Sequence, residues 1–275
     1  MSAAATPTPA MAPPVRRPQK PAASVWVYVA IMAFITITWW AASEEYGIEF
    51  NLVELADALG RGAETLGRFW PPDWSFLPQT WRPMLETLQM AVIASAVGCA
   101  LALPIAFGAS RVTTPNAVTY VADRGVMNVV RSLPDVLLAL VLVAALGIGP
   151  LPGILALIVF NIGVVAKLLS ETIDGVDQGP IEAARAAGAN RTQTIVASVL
   201  PQVLPNYVAY SLYVFELNVR ASAVLGIVGA GGIGRTLEAQ RRFFAYDNVM
   251  VVLIELFLLV VVIEFISVRL RRRLV

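Results

Sequence analysis

The sequence predicts an all-α, polytopic membrane protein with about six transmembrane helices. Hydrophobic residues make up 57% of the 275-residue chain and charged residues only 14%, which is more apolar side chain than a soluble domain can bury. Apolar runs long enough to cross about 30 Å of hydrocarbon recur along the chain. These runs are residues 24–42, 87–108, 126–148, 151–170, 204–227 and 248–268.

The chain before the first run has a different composition. Residues 1–22 are rich in Ala, Pro and Thr and predict a disordered tail, so the transmembrane domain is residues 23–275. A basic lead-in to an apolar run is also a feature of signal peptides. The uncharged core of this run exceeds the roughly 7–15 residues of a signal h-region, which favours a retained helix over a cleaved one.

Lysine and arginine are distributed unequally between the connecting segments. Segments on the N-terminal side of the membrane carry twice as many of them as segments on the opposite side. Because cytoplasmic segments are enriched in these residues, both termini and segment 171–203 are predicted to be cytoplasmic. Segment 43–84 is then extracellular. Its leucines at near-helical spacing and its tryptophans predict an interfacial helix lying on the membrane lipid.

The composition argues against several classes of protein. The chain has no histidine, which excludes His-based acid–base catalysis and His metal ligation. The single cysteine, Cys99, cannot form an internal disulfide. No block of basic residues is interleaved with aromatic residues as a nucleic-acid surface requires. We therefore expect no catalytic residue, metal site or cofactor in this chain, and no nucleic-acid partner.

Segment 171–203 is a polar interruption between two long apolar runs. A Gly-Pro pair at 179–180 predicts a helix start, since the missing N–H of proline is harmless in the first turn. Gly188 then permits a turn. Asn190 and Thr192 predict the cap of a second short helix. The segment is therefore expected to be a shaped element rather than an ordinary loop.

The spacing within this segment resembles the EAA motif of ABC-importer permeases. Glu182-Ala183-Ala184 is followed after three residues by Gly188 and after eleven more by Leu200-Pro201. In that family the loop is a coupling helix seated in a cleft of a cytoplasmic ATPase subunit. The resemblance implies that the residues coupling to the ATPase are Glu182, Ala183, Ala184, Gly188, Leu200 and Pro201.

One position of the motif departs from the family pattern. Ser198 stands where the family often has Ile, two residues before the leucine. Val199 beside it is expected to supply the apolar contact instead.

A dense glycine run follows the fifth apolar run. Residues 229–234 satisfy G-x-G-x-x-G, and residues 229–236 nearly satisfy a Walker A motif with Arg235 in place of Lys. Both phosphate cradles need a preceding strand, whereas this run follows a predicted span and faces outside. The glycines are instead expected to let the chain fold closely where a gate forms. The candidate outer gate consists of Gly229, Gly231, Gly232 and Gly234.

Opposite charges occur four residues apart within or beside three predicted spans. The pairs are Arg131–Asp135, Lys167–Glu171 and Glu216–Arg220. This spacing puts both partners on one helix face, so mutual neutralisation is one explanation for charges that are costly in a membrane. A place in a substrate pathway is the other explanation. Glu255 and Glu264 have no obvious partner in the sequence.

Arg220 is a pathway candidate because polar Asn218 and Ser222 accompany it, with all three expected in the outer half of the fifth span. A guanidinium there can bind an oxyanion bidentately while Glu216 holds its position. Arg131 is a second candidate. Whether Arg220 contacts substrate or only pairs with Glu216 stays open at this point.

The similarity widens to the phosphonate-uptake branch of these permeases and runs from residue 71 to the C-terminus. It is carried by residues 213–220 (YVFELNVR), 225–234 (LGIVGAGGIG), 131–135 (RSLPD) and 147–150 (GIGP). The resemblance implies the type I ABC importer transmembrane fold and ATP-driven import of phosphonate or a related phosphorus oxyanion, phosphate or phosphite. It also implies a second copy of the chain, two cytoplasmic subunits that bind ATP and Mg²⁺, and an extracellular or periplasmic substrate-binding protein.

Two alternatives remain open. A permease of the same class carrying another small solute would share every motif above. An ion-coupled secondary transporter would show inverted repeats and broken helices around a midplane site. No such repeat is visible in the sequence, and the EAA motif would then be unexplained.

Overall fold

The computed structural model describes residues 25–43 and 52–272 and divides the chain into two units, Met1–Ala63 and Glu64–Val275. In the first unit, α1 (Val25–Ala42) coincides with the first predicted apolar run and exposes large apolar side chains along its length. α2 (Leu52–Gly67) begins in this unit and is the helix that the leucine spacing predicts. Its position on a membrane surface stays a prediction. The predicted tail lies outside the described residues.

The second unit is built around three long helices, α3 (Leu77–Gly108), α6 (Pro150–Asp174) and α9 (Leu200–Ile227), which follow a short 3-10 helix, Trp74–Phe76. The three helices pack on one another, and α3 and α6 share the most extensive contact. Small side chains let them approach closely. At Gly98 of α3, for example, an added Cβ would lie 2.6 Å from the Cβ of Asn161 in α6.

The third predicted span, 126–148, is wrong as a single helix. The structure has α4 (Ala117–Ser132) and α5 (Asp135–Leu146), bent by 86° at the break between them. Proline lacks a backbone N–H and disfavours helical geometry in the residue before it. Leu133, which precedes Pro134, is accordingly extended, with φ −90° and ψ 123°.

The predicted pair Arg131–Asp135 is consequently not formed. The two residues lie on different helices, and the part of the chain that the structure describes contains no ion pair between them. The i, i+4 pairs Lys167–Glu171 and Glu216–Arg220 are both present, because each lies within one unbroken helix.

The helix of the fifth predicted span begins earlier than expected. α7 (Gly179–Ala186) and α8 (Arg191–Thr194) precede one π-helical turn, Ile195–Val199, which runs directly into α9. The helical backbone therefore continues through Leu200-Pro201. Pro201 lies in the first turn of α9, directly after the π turn. The remaining helices are α10 (Gly232–Arg242) and α11 (Tyr246–Arg271).

Within the described residues, four helical segments are long and apolar enough to cross a membrane. They are Trp74–Gly108, Pro150–Asp174, Arg191–Arg242 and Tyr246–Arg271. The bent pair α4–α5 makes a fifth if it is counted as one span, and α1 is a shorter apolar helix. The all-α polytopic prediction is therefore confirmed, with four to five such spans besides α1.

Candidate functional site

The EAA segment, residues 171–203, folds as a helix, a tight turn and a second helix. Gly188 ends the first helix with φ +82°, a conformation that favours glycine. Its N–H donates to the carbonyl oxygen of Arg185 (3.0 Å), and the next N–H, of Ala189, donates to that of Ala184 (3.0 Å). A Cβ at Gly188 would meet no atom within 4 Å. Glycine is thus required here for backbone conformation and not for space.

A capping box begins α8. The Asn190 side chain accepts a hydrogen bond from the N–H of Gln193 (2.9 Å), and the Gln193 side chain accepts one from the N–H of Asn190 (2.8 Å). Asn190 is therefore the cap that the sequence predicts. Thr192, the second predicted cap, lies inside the helix instead.

Three contacts join α7 and the residue pair before it to the π turn and the first residues of α9. Ile181 is buried in the same cluster as Val199 and Val203. Ser198 Oγ donates a hydrogen bond to the carbonyl oxygen of Pro180 (3.0 Å). Gln202 accepts one from the N–H of Asp177 (2.9 Å). α7 is therefore both packed against and hydrogen-bonded to the segment that begins α9.

The EAA residues themselves face away from the rest of the chain. Glu182, Ala183, Gly188 and Pro201 are exposed, and Ala184 and Leu200 are half-buried. The Glu182 carboxylate has no hydrogen-bond or ion-pair partner among the residues that the structure describes. Ile181 packs one face of α7 against the rest of the chain. The opposite face exposes small side chains and, near the start of the helix, the Glu182 carboxylate.

A polar network that was not predicted from the sequence joins the α3–α4 linker to the end of α6, where the EAA segment begins. Asp174, at the end of α6, accepts hydrogen bonds from Ser110 Oγ (2.6 Å), from the N–H of Arg111 (2.7 Å) and from the Arg124 guanidinium (3.2 Å). Arg111 also donates to the Tyr120 hydroxyl, a bond that raises the pKa of the Arg111 guanidinium. These partners are far apart in sequence, so no local pattern indicates them.

The glycine turn, residues 226–234, lies at the opposite end of α9. Gly229, Gly231 and Gly232 have φ values of +92°, +87° and +67°. A methyl group at Gly234 would collide with the carbonyl oxygen of Ala223, and one at Gly226 would lie 2.6 Å from the carbonyl oxygen of Gly231. The close folding expected of these glycines is confirmed, and their role as an outer gate stays a prediction.

Side chains of α3 bind the backbone of this turn. Glu86 Oε1 accepts from the N–H of Gly232 (3.0 Å), and Thr87 Oγ1 accepts from that of Ile233 (2.8 Å). These N–H groups begin α10, where a phosphate cradle would need them free. The preceding element is a helix and not a strand, so the glycine turn resembles a nucleotide-binding motif in sequence but not in structure.

The predicted pathway residues do not converge on one site. Arg220 donates to Glu216 (2.7 Å) and to Glu264 of α11 (3.3 Å), and Arg271 donates to the second oxygen of Glu216 (3.2 Å). Glu264, which has no partner evident in the sequence, is thereby paired. The Glu216 side chain is only 8% exposed, so it is held between two guanidinium groups across the α9–α11 contact.

Asn218 and Ser222 occupy the other side of α9. Both are fully buried, and the Asn218 amide nitrogen donates to Ser95 Oγ of α3 (2.8 Å), while the Asn218 amide oxygen has no hydrogen-bond partner among the described residues. Arg131 lies elsewhere again. It is exposed at the end of α4 and lines a cavity of about 320 Å³ with Pro134 and Asp135.

Comparison with known proteins identifies the family. Residues 101–275 match the family described as the binding-protein-dependent transport system inner membrane component. The chain belongs to this family. The permease is 36% identical over 247 residues to the phosphite transport system permease protein PtxC of Stutzerimonas stutzeri, a match that covers 85% of this chain and 90% of that protein. It is 40% identical to the phosphate-import permease protein PhnE of Mycolicibacterium smegmatis over 76% of this chain and 39% of that protein.

The fold of the permease also matches a solved transporter. A chain of the MetNI methionine ABC transporter, in an inward-facing conformation, superposes with a TM-score of 0.66 at 27% identity, covering 74% of this chain and 99% of that one. The predicted type I importer fold is therefore confirmed. The permease is the membrane component of an ABC importer, a class in which a separate ATPase and a binding protein complete the system.

Proposed function

We propose that the permease imports phosphonate or a related phosphorus oxyanion, phosphate or phosphite, in an ATP-driven cycle powered through the EAA segment. The observation that carries the coupling proposal is the seating of α7. Its exposed Glu182–Ala184 surface is free to enter a partner, while Ile181 and Ser198 bind its other face to α9. The substrate class is supported by the names of the relatives, which import phosphite and phosphate.

The proposed assembly contains two permease subunits, two ATP-binding subunits that hold ATP and Mg²⁺, and a binding protein on the outer face. One chain carries one EAA segment, so a second permease subunit supplies the second docking point. We propose a second copy of this chain. Exposed apolar faces on α5 and α11 leave room for that copy and for membrane lipid, with Leu137, Val141, Phe257 and Phe265 among their exposed side chains. In this proposal both termini and the EAA segment lie in the cytoplasm.

Pathway residues are assigned by the same proposal. Arg220, Asn218, Ser222, Glu216 and Arg131 are the candidates. These candidates lie on different helix faces and do not form one site. Arg220 already pairs with Glu216 and Glu264, which favours a structural role for the Glu216–Arg220 pair over direct substrate contact.

Reconstitution tests the function directly. The permease is co-purified with its ATPase and placed in proteoliposomes, and uptake of phosphate, phosphite and methylphosphonate is measured with the loaded binding protein outside and ATP inside. Uptake of at least one of these anions that stops without ATP or without the ATPase supports the proposal. Uptake driven by an ion gradient alone favours a secondary transporter. ATP-driven uptake of an unrelated solute, with none of the three anions carried, favours a permease of the same class with another substrate.

A further inference from the structure

The three arginines of α10 are not equivalent. Glu238 accepts two hydrogen bonds from Arg241 (2.7 and 2.9 Å) and one from Arg242 (2.8 Å), so a single carboxylate engages both. Arg235 is exposed and makes no ion pair or hydrogen bond through its side chain with any residue that the structure describes. Its guanidinium keeps all five donors available.

A cavity beside the glycine turn receives this side chain. It has a volume of about 380 Å³ and lies between the end of α9, the α5–α6 connection and α10. Arg235 and Arg242 line it together with Glu238, whose two oxygens already accept from guanidinium groups. Ile148 and Val228 supply apolar wall. The lining therefore carries one net positive charge and no free carboxylate.

The backbone that presents Arg235 is held firmly. A Cβ at Gly226 would lie 2.7 Å from the backbone nitrogen of Arg235, so the first turn of α10 rests directly on the end of α9. Glu86 and Thr87 fix the preceding N–H groups. The backbone position from which the Arg235 side chain extends is therefore fixed.

Arg220 offers a contrast. Its guanidinium contacts two carboxylates, Glu216 and Glu264, so an incoming anion would meet a positive charge that protein carboxylates already offset. An anion reaching Arg235 displaces only water. Between the two arginines, the geometry points to the one in the cavity.

We propose that Arg235 is the residue that receives the phosphorus oxyanion at the outer end of the pathway, binding two of its oxygens through charge-assisted hydrogen bonds. This assignment rests on the proposed function and adds to it the point of first contact with the permease. The glycine turn then has a second role besides compact folding, because it fixes the backbone from which the Arg235 side chain extends.

The test compares Arg235→Gln and Arg235→Lys with Arg68→Gln, a control at an exposed arginine that does not line the cavity. Each variant is reconstituted with the ATPase, and uptake of the anion that the wild-type system carries is measured with saturating loaded binding protein. Loss of a bidentate charge-assisted contact is expected to lower the uptake rate of the Arg235→Gln variant about tenfold or more, with partial retention in Arg235→Lys and near wild-type uptake in Arg68→Gln. ATP hydrolysis stimulated by the binding protein should be retained, so less anion is carried per ATP.

Two results would overturn the inference. Uptake by Arg235→Gln within twofold of wild type means that the residue does not receive the anion. Loss of binding-protein association by this variant means that Arg235 is a docking contact for that protein instead. A wild-type system that carries no phosphorus oxyanion refutes the proposed function itself and is recognised before any variant is compared.

Discussion

Ser198 donates a hydrogen bond to the carbonyl oxygen of Pro180 across 3.0 Å, joining the π turn before α9 to the first turn of α7. The family pattern often places Ile at this position, and an isoleucine could not make this bond. Ser198 therefore makes a hydrogen bond where an isoleucine would make only apolar contacts. The buried Val199 beside it supplies apolar packing.

Replacing Ser198 with Ala should therefore weaken the connection between α7 and α9. A lost hydrogen bond in a buried place costs about 1 kcal/mol, because the Pro180 carbonyl is left without this donor. We expect lower ATP-driven uptake with normal membrane insertion, measured in proteoliposomes. Ser211→Ala is the control, since the hydrogen bond from Ser211 Oγ to the Tyr207 carbonyl oxygen lies within α9 and does not join α7 to α9. Equal uptake by wild type and Ser198→Ala would show that the bond plays no part in coupling.

Gly188→Val tests the turn of the EAA segment. A β-branched residue at φ +82° is strained, and the left-handed conformation costs an L-residue roughly 1–2 kcal/mol. We expect the ATPase to co-purify poorly with this variant. Gly175→Ala serves as the control because Gly175 has φ −97° and the nearest atom to an added Cβ is 3.6 Å away. If Gly188→Val retains normal ATPase binding, the docking role assigned to this turn is wrong.

The charge network between α9 and α11 predicts a compensation. Arg220→Gln leaves Glu264 without its cation, whereas Glu216 keeps Arg271. Uptake and thermal stability in detergent should fall in Arg220→Gln and recover when Glu264→Gln is added, because an unpaired carboxylate no longer remains beside the membrane. Persistently low uptake in the stable double variant would instead support Arg220 as a substrate contact.

Gly234→Ala should be among the most damaging small substitutions in the chain. The added methyl group would collide with the Ala223 carbonyl, so α10 must move away from α9. We expect a lower melting temperature and less folded protein, followed by fluorescence-detected size-exclusion chromatography. Gly125→Ala in α4 is the control, since an added Cβ there meets nothing within 4 Å. Similar melting curves for both variants would contradict the close packing of the turn.

Topology is tested through the single native cysteine. Cys99 is buried, so a cysteine introduced at an exposed position is the one that a membrane-impermeant maleimide labels. Glu182→Cys should react only after the membrane has been permeabilised, whereas Arg241→Cys should react in intact spheroplasts. The reverse pattern would invert the proposed orientation.

Local features were predicted well from the sequence. The turn at Gly188, the cap at Asn190 and the close folding of the glycine run each depend on the conformational preference of one or a few adjacent residues. The Glu216–Arg220 pair follows from helical spacing alone. Pro134 could have indicated the bend between α4 and α5, but the uninterrupted apolar run around it favoured a single span.

Contacts between distant segments escaped prediction. Asp174 gathers donors from the α3–α4 linker and from α4, and Glu264 finds Arg220 on another helix. Glu86 and Thr87 reach the start of α10 in the same way. None of these pairings has a sequence spacing that distinguishes it, because the partners meet only after the helices have packed.

The irregularities of α9 are confined to one end. The π turn Ile195–Val199 and Pro205 both lie near the EAA segment, and from there to Ile227 the helix continues without another break. This uninterrupted stretch is about 30 Å long, so a rigid tilt of about ten degrees at its base would move the far end by roughly 5 Å. The glycine turn and Arg235 follow directly after that end of α9. A small rocking motion begun at α7 would thus be amplified into a displacement as wide as an oxyanion.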